Sequence, residues 1–322
     1  MAEYKGIKGF KVQYLSADPS DPNIGQTWYN STSKDLKYTS VTTTGSWATG
    51  NDMNTARVAL TGCGTQTTAL GFGGYTPPSV TNTGATEEYD GNSWTNSNSM
   101  ITARRYPRGA GTQTAALSFS GYATAETGAT EEYDGTSWTS VNSMNTARFG
   151  LGGVGIQTAA LAFGGYTTTQ TGATEEYDGT SWTTSLGSLN TARHYLAGAG
   201  TQTAALGFGG EIPGVTGATE EYDGNSWTSS NPLNTARSQL AGAGTQTAGL
   251  TFGGEPNTGA TEEYDGNSWT TSNALNTARY RLAGAGTQAS ALAFGGLTTV
   301  PVAATEEWTG AGSPLTKTIT VS

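Results

Sequence analysis

Short apolar runs and short polar runs alternate along this chain, and no stretch sustains the three-to-four-residue spacing of a buried helix face. TAALGF is a compact apolar run closing on Gly-Gly, ATEEY alternates in character, and SWTT sets a large ring beside threonines. Such β-branched and aromatic segments suit strands. DGNS or DGTS separates ATEEY from SWTT, and glycine after aspartate supports the positive φ of a tight hairpin. The pattern predicts four short strands per unit: one around TAR-x-x-L, then TAALGF, ATEEY and SWTT, with AGAGTQT as a glycine-rich turn after the first. The fold class is all-β.

The unit recurs. TAR ends at Arg57, Arg104, Arg148, Arg193, Arg237 and Arg279, at spacings of 47, 44, 45, 44 and 42. Trp94, Trp138, Trp182, Trp227 and Trp269 keep the same beat, and Trp47 precedes Arg57 by the 10 residues that separate Trp94 from Arg104. A four-stranded antiparallel sheet cannot cover both of its faces alone, and radial stacking of several sheets does so.

Arginine, an apolar strand closing on Gly-Gly, Glu-x-Tyr-Asp and then tryptophan, at about 44 residues per unit, resembles the kelch repeat over residues 54–310. The resemblance implies a β-propeller of four-stranded antiparallel blades, with the TAR arginines and the repeated tryptophans as inter-blade groups. Six copies of the first three strands are clear, and the last, ATEEWTG, lacks its SW strand. Seven blades are expected, the whole of 1–322 forming one domain: a degenerate N-terminal blade or attachment module at 8–50, six repeats at 54–310, and LTKTITVS within 311–322 as the closing strand. GFKVQYL, QTWYNS, LKYTSV and GSWAT would make the N-terminal blade, and Trp28 falls 44 residues before Phe72. The alternative has six blades: GSWAT around Trp47 closes the ring and the N-terminus is an extension.

Composition narrows the function. Eight Trp, 15 Tyr and eight Phe in regular positions argue for a packed core despite 47 Gly and a Thr/Ser/Asn-rich remainder. A net charge of −10 argues against nucleic acid as a partner. Cys63 and His194 are single, so neither an intrachain disulfide nor a cysteine zinc cage is expected; no metal site or cofactor is predicted, and Cys63 should pack as a small apolar residue. The opening MAEYKGIKGFKVQYL has no signal-like apolar run, and no apolar segment has membrane-spanning length, so neither secretion by such a signal nor membrane insertion is expected.

Six Glu-Glu pairs, from Glu87/Glu88 to Glu306/Glu307, invite a reading as catalytic carboxylates. Neighbours on a strand point to opposite faces, so no pair can act as a clustered dyad. One glutamate of each pair is expected to meet a TAR arginine across a blade interface. A copper site like that of galactose oxidase needs more histidine than this chain has, and a sialidase-like site needs a unique arginine cluster, whereas these arginines are equivalent by repetition. The expectation is a protein that is not an enzyme, with a propeller hydrolase or lyase as the remote alternative.

The repeats differ in two places. One is the pair after TAR: Val58/Ala59, Arg105/Tyr106, Phe149/Gly150, His194/Tyr195, Ser238/Gln239 and Tyr280/Arg281. The other is the loop after Gly-Gly, from YTPPSVTNTG in the first repeat to LTTVPVA in the last. Broad rings and adaptable donors suit recognition, which makes Arg105, Tyr106, Phe149, His194, Tyr195, Gln239, Tyr280 and Arg281 candidate ligand-binding residues for glycan or protein. The bland alternative is that these positions are solvent-exposed and freed from packing. SADPSDPNIGQTWYNSTSKDLKY also resembles a segment of bacteriophage tail and appendage proteins. That resemblance implies a virion location, a structural or adhesive role, and other virion proteins or a host surface glycan or protein as partners. Homo-oligomerisation is left open, and a cellular kelch-type scaffold or lectin is the second reading.

Overall fold

The structure, a computed structural model, describes residues 12–20, 23, 25–41, 44–78, 80–312 and 314–319. Every regular element among them is a strand. The chain divides into two compact units, 46–309 and a smaller one from 1–45 with 310–322.

The larger unit holds six four-stranded antiparallel sheets, one per repeat. Their first strands are Thr61–Gly64, Arg108–Thr112, Gly152–Ile156, Ala197–Gly200, Ala241–Gly244 and Ala283–Gly286. Each lies beside the equivalent strand of the next repeat, and Ala283–Gly286 lies beside Thr61–Gly64. Repeated sheets in this arrangement fit a β-propeller.

The first strand is therefore the glycine-rich stretch expected to be a turn, while TAR-x-x-L runs as irregular chain carrying one isolated bridge. Crowding explains the shift. A Cβ on Gly62 would come within 2.3 Å of Phe294 Cζ, and one on Gly109 within 2.8 Å of Phe72 Cζ. Where neighbouring inner strands approach this closely, a low-propensity residue wins because nothing larger fits.

The closing strand also departs from the favoured expectation. Ser46–Thr49 pairs antiparallel with Thr305–Thr309, setting Trp47 opposite Trp308 and completing the last repeat's sheet. Pro314–Thr318 pairs instead with Asp35–Val41 in the smaller unit. Register decides it: ATEEWT meets the same SW strand that its five sister sheets receive from within their own repeats.

In the smaller unit, Gln13–Leu15 runs parallel to Thr27–Asn30, and Asp35–Val41 and Pro314–Thr318 follow antiparallel. The parallel pair distinguishes this sheet from the six repeat sheets, and residues 8–11 of the expected N-terminal blade lie outside the described residues. Trp28 is fully buried; its indole and the Asn30 amide donate to Asp18 Oδ1 at 3.0 and 2.8 Å, and Lys37 Nζ reaches Oδ2 at 2.7 Å.

Aromatic packing joins the repeat sheets. Phe163 meets Trp227 of the next repeat at 4.7 Å between centroids, and Phe294 of the last repeat meets Trp94 of the first at 4.8 Å. Each fully buried phenylalanine contributes about 1.5–3 kcal/mol. The indole of Trp227 donates to Thr174 Oγ1, and that of Trp94 to Thr305 Oγ1, both at 3.0 Å. Gln66 of the first repeat donates to the Ala291 and Trp308 carbonyls of the last, as Gln157 does to Ala116 and Tyr133.

The arginines and glutamates divide this work differently from the expectation. Arg57, Arg104, Arg148, Arg193, Arg237 and Arg279 are fully buried and pair with Glu87, Glu131, Glu175, Glu220, Glu262 and Glu306 of their own repeats, not across an interface. The same carboxylates accept main-chain amides of the loop entering each repeat, such as Asn190 at 2.6 Å and Asn234 at 2.7 Å. Crossing to the neighbour falls to the arginine carbonyl, which accepts from the second glycine of the preceding repeat: Gly74 to Arg104, and Gly296 to Arg57, both at 2.9 Å. It falls also to the second glutamate, since Tyr133 donates to Glu88 at 2.5 Å and Tyr89 to Glu307 at 2.6 Å. Burial and the carboxylates they donate to, Glu88 and Glu221, push the Tyr133 and Tyr264 hydroxyls up to about 12.

Candidate functional site

Immediately after each TAR arginine the chain makes one antiparallel bridge to the residue following Gly-Gly, or Ser120-Gly121 in the second repeat: Val58 with Tyr75, Arg105 with Tyr122, Phe149 with Tyr166, His194 with Glu211, Ser238 with Glu255 and Tyr280 with Leu297. The two variable regions of the sequence are thereby adjacent in every repeat, and form one surface.

The next residue turns left-handed. Ala59, Tyr106, Gly150, Tyr195, Gln239 and Arg281 have φ between 53° and 64°. For the non-glycine residues this costs on the order of 1–3 kcal/mol each. Main-chain bonds forming all but one link of a circuit compensate: Tyr106 N donates to Ala59 O, Tyr195 N to Gly150 O, Gln239 N to Tyr195 O, Arg281 N to Gln239 O and Ala59 N to Arg281 O, at 2.5–3.0 Å. The left-handed turn also sets these side chains close enough to touch one another.

Tyr106 lies 5.1 Å from Tyr195 and 6.0 Å from Phe149 between ring centroids. Phe149 also packs on Tyr122 and Tyr166. The Arg105 guanidinium sits 4.4 Å over the Tyr122 ring. Arg281 lies over Tyr280 at 5.3 Å, donates to Gln239 Oε1, and reaches the Tyr75 hydroxyl at 3.0 Å. Gln239 Nε2 donates to Glu255 Oε2 at 2.6 Å. His194 stacks between Tyr166 and Tyr195, with Nδ1 3.1 Å from Glu211 O.

All eight candidate residues thus fall in one contiguous cluster, none of them fully exposed. The bland alternative of side chains freed from packing does not describe them: they are half-buried or buried against each other. Burial raises the Tyr106 and Tyr195 hydroxyls, and it lowers the His194 imidazole below its usual value. The cluster offers aromatic faces, guanidinium donors and an amide held by a carboxylate.

The sequence singled out the second variable loop but placed none of its residues among the candidates for binding. Tyr75, Tyr122, Tyr166, Glu211 and Glu255 belong to the cluster, and the signal was their fixed place after Gly-Gly. Farther along the same loops Val80, Val215 and Val300 are 51%, 43% and 59% exposed, so apolar tips extend the surface outward.

Cys63 is buried against the Thr112 carbonyl, and burial pushes its thiol up to about 12. Among the described residues no three His, Cys, Asp or Glu side chains gather as a metal ion requires. No known protein-family profile matches the sequence, and neither does any curated protein.

Proposed function

We propose that this chain is a non-enzymatic recognition protein: a closed six-bladed kelch-type propeller that binds a glycan or protein surface through the cluster after the TAR arginines, and that serves as a structural or adhesive component of a phage virion. One observation carries the binding reading. The repeats keep their packing residues and vary at positions that converge on a single surface, where aromatic rings, two arginines and a glutamine lie together. Repeated side chains hold the ring, so the unrepeated ones are free to specify a partner.

The closed six-bladed ring is supported by contacts that return from the last repeat to the first: Gly296 to Arg57, Gln66 to Trp308, Trp94 to Thr305 and Tyr89 to Glu307. The virion reading rests on the GQTWYNS segment, whose tryptophan and asparagine are fixed on Asp18 in the smaller unit.

Two experiments test these readings separately. Mass spectrometry of particles purified from the source culture should recover the chain in fixed stoichiometry with capsid and tail proteins; its retention in the lysate overturns the virion assignment and favours the cellular scaffold or lectin. Binding of purified protein to host cells and to a glycan array should be lost in a Val80→Asp, Val215→Asp, Val300→Asp variant of unchanged Tm. Full binding by that variant and by Arg105→Ala removes this surface from consideration.

A further inference from the structure

The inner strands line an open cavity of about 160 Å³ walled mostly by glycine and alanine. Its wall begins at Leu60, Leu240 and Leu282, one residue past the left-handed circuit, and runs to the glycines that end the strands, from Gly64 to Gly286. Each lining strand is the terminal strand of its sheet, so its outer main-chain edge has no strand partner there.

One lining side chain is charged. Arg108 occupies the place held by Thr61, Gly152, Ala197, Ala241 and Ala283 in the other repeats, so it breaks the repeat at a position where packing asks only for a small residue. Its Nε donates to Leu151 O, and Nη2 to Leu196 O at 3.0 Å. A guanidinium carries five N–H groups. Those beyond these two bonds have no partner among the described residues, and no carboxylate pairs with Arg108. The contrast with the TAR arginines is direct, since each of those has its own glutamate. Burial lowers the Arg108 guanidinium only to about 10, so it is cationic at neutral pH.

We propose that this cavity binds a small oxyanion, a carboxylate or an inorganic phosphate or sulfate, with Arg108 as its charged anchor. The Arg108 guanidinium is half-buried at the cavity wall with no carboxylate beside it, so an anion there would supply the counter-charge it lacks. The carbonyls of Leu151 and Leu196 fix the guanidinium plane, leaving a planar N–H edge that matches two oxygens of one anion. Glycine walls let the anion approach main-chain amides without meeting a Cβ. The protein's net charge of −10 repels anions at long range, so uptake requires a specific site. This site stands whether or not the variable surface binds a host.

The test is thermal unfolding of the full chain, titrated with sodium formate or sodium phosphate at constant ionic strength, with sodium chloride as the balancing salt. Arg108→Ala is the comparison variant, since alanine is what three other repeats carry there and the fold should tolerate it. The expected result is a saturable rise in Tm with formate or phosphate, about 3 °C at ten times Kd, absent in Arg108→Ala and partly kept in Arg108→Lys. Formate alone identifies a carboxylate site, and phosphate alone a phosphate or sulfate site. An equal rise in Arg108→Ala marks a general salt effect and overturns the proposal, as does no rise in the native protein. An equal saturable response to sodium bromide overturns the oxyanion class.

Discussion

Arg193 and Arg237 occupy equivalent places in adjacent repeats, are equally buried, and should differ in what their removal costs. The Arg193 guanidinium donates to the carbonyls of Gly209 at 2.9 Å, Thr191 at 3.0 Å and Gly207 at 3.2 Å, and to Glu220. Arg237 donates to Glu262 at 2.7 Å, and its Nε and Nη2 have no partner among the described residues. Arg193→Met breaks a buried ion pair, at about 3–5 kcal/mol, and strands three carbonyls as well. The total should lie near the top of that range, about 4–5 kcal/mol. Arg237→Met breaks the same pair but also removes two buried nitrogens, Nε and Nη2, that lack acceptors, each worth about 1 kcal/mol or more of relief. Its net cost should be about 2–3 kcal/mol. In both variants the glutamate remains anchored by main-chain amides, from Asn190 and Thr191 in one case and Asn234 and Thr235 in the other, so the residual environments match. Urea unfolding followed by tryptophan fluorescence reads the difference, because seven of the eight tryptophans lie in residues 46–309. Comparison is valid when the m-values agree. Costs equal within about 0.5 kcal/mol, or a larger cost for Arg237→Met, refute the reasoning from individual hydrogen bonds.

Other expectations follow from the same packing. Gly62→Ala forces a Cβ within 2.3 Å of Phe294 and should cost about 2–3 kcal/mol, whereas Gly214→Ala meets nothing within 4 Å and should change unfolding by less than about 0.5 kcal/mol; comparable values for the two would deny that inner-strand glycines are a crowding requirement. Asp90, Asp134, Asp178, Asp223 and Asp265 are held below the usual carboxylate range by hairpin main-chain amides, and Asp18 is held at about 2 by Lys37, Asn30 and Trp28. A depressed folded pKa adds stability that is present above the unfolded pKa and lost as pH falls through the folded one. Unfolding free energy should therefore decline from about pH 4 towards pH 2, and an acid titration with no such decline contradicts these bonds. His194 acts in the same direction at higher pH: its folded pKa is depressed by burial, so protonation below about pH 6.5 favours the unfolded chain, and His194→Gln should flatten the stability profile there. Native Cys63 should resist DTNB at pH 8 and react stoichiometrically in denaturant, because a thiol pushed up to about 12 holds almost no thiolate; rapid native labelling would show the inner strands opening.

Much of this was legible before any tertiary structure. Regular spacing of TAR, Gly-Gly, Glu-Glu-Tyr and Trp dictates identical four-stranded units, because a repeated local sequence repeats its local solution. Alternation in ATEEY separates the two glutamates onto opposite faces, and the structure uses them so: Glu131 for Arg104 of its own repeat, Glu132 for Tyr177 of the next. Position-by-position comparison of the repeats also singled out the residues of the variable cluster.

Tertiary structure alone decided the rest, since contacts between distant segments leave no local mark. AGAG reads as a turn by propensity and is a strand because neighbouring inner strands crowd at its first glycine, where a Cβ would meet the adjacent sheet's phenylalanine. LTKTITVS and GSWAT are both plausible closing strands, and only pairing with Thr305–Thr309, more than 250 residues away, assigns the place to GSWAT. Arg108 looks like one more basic residue in the sequence. The cavity of small residues around it, gathered from all six repeats, makes it an unpaired charge facing space that an anion can fill.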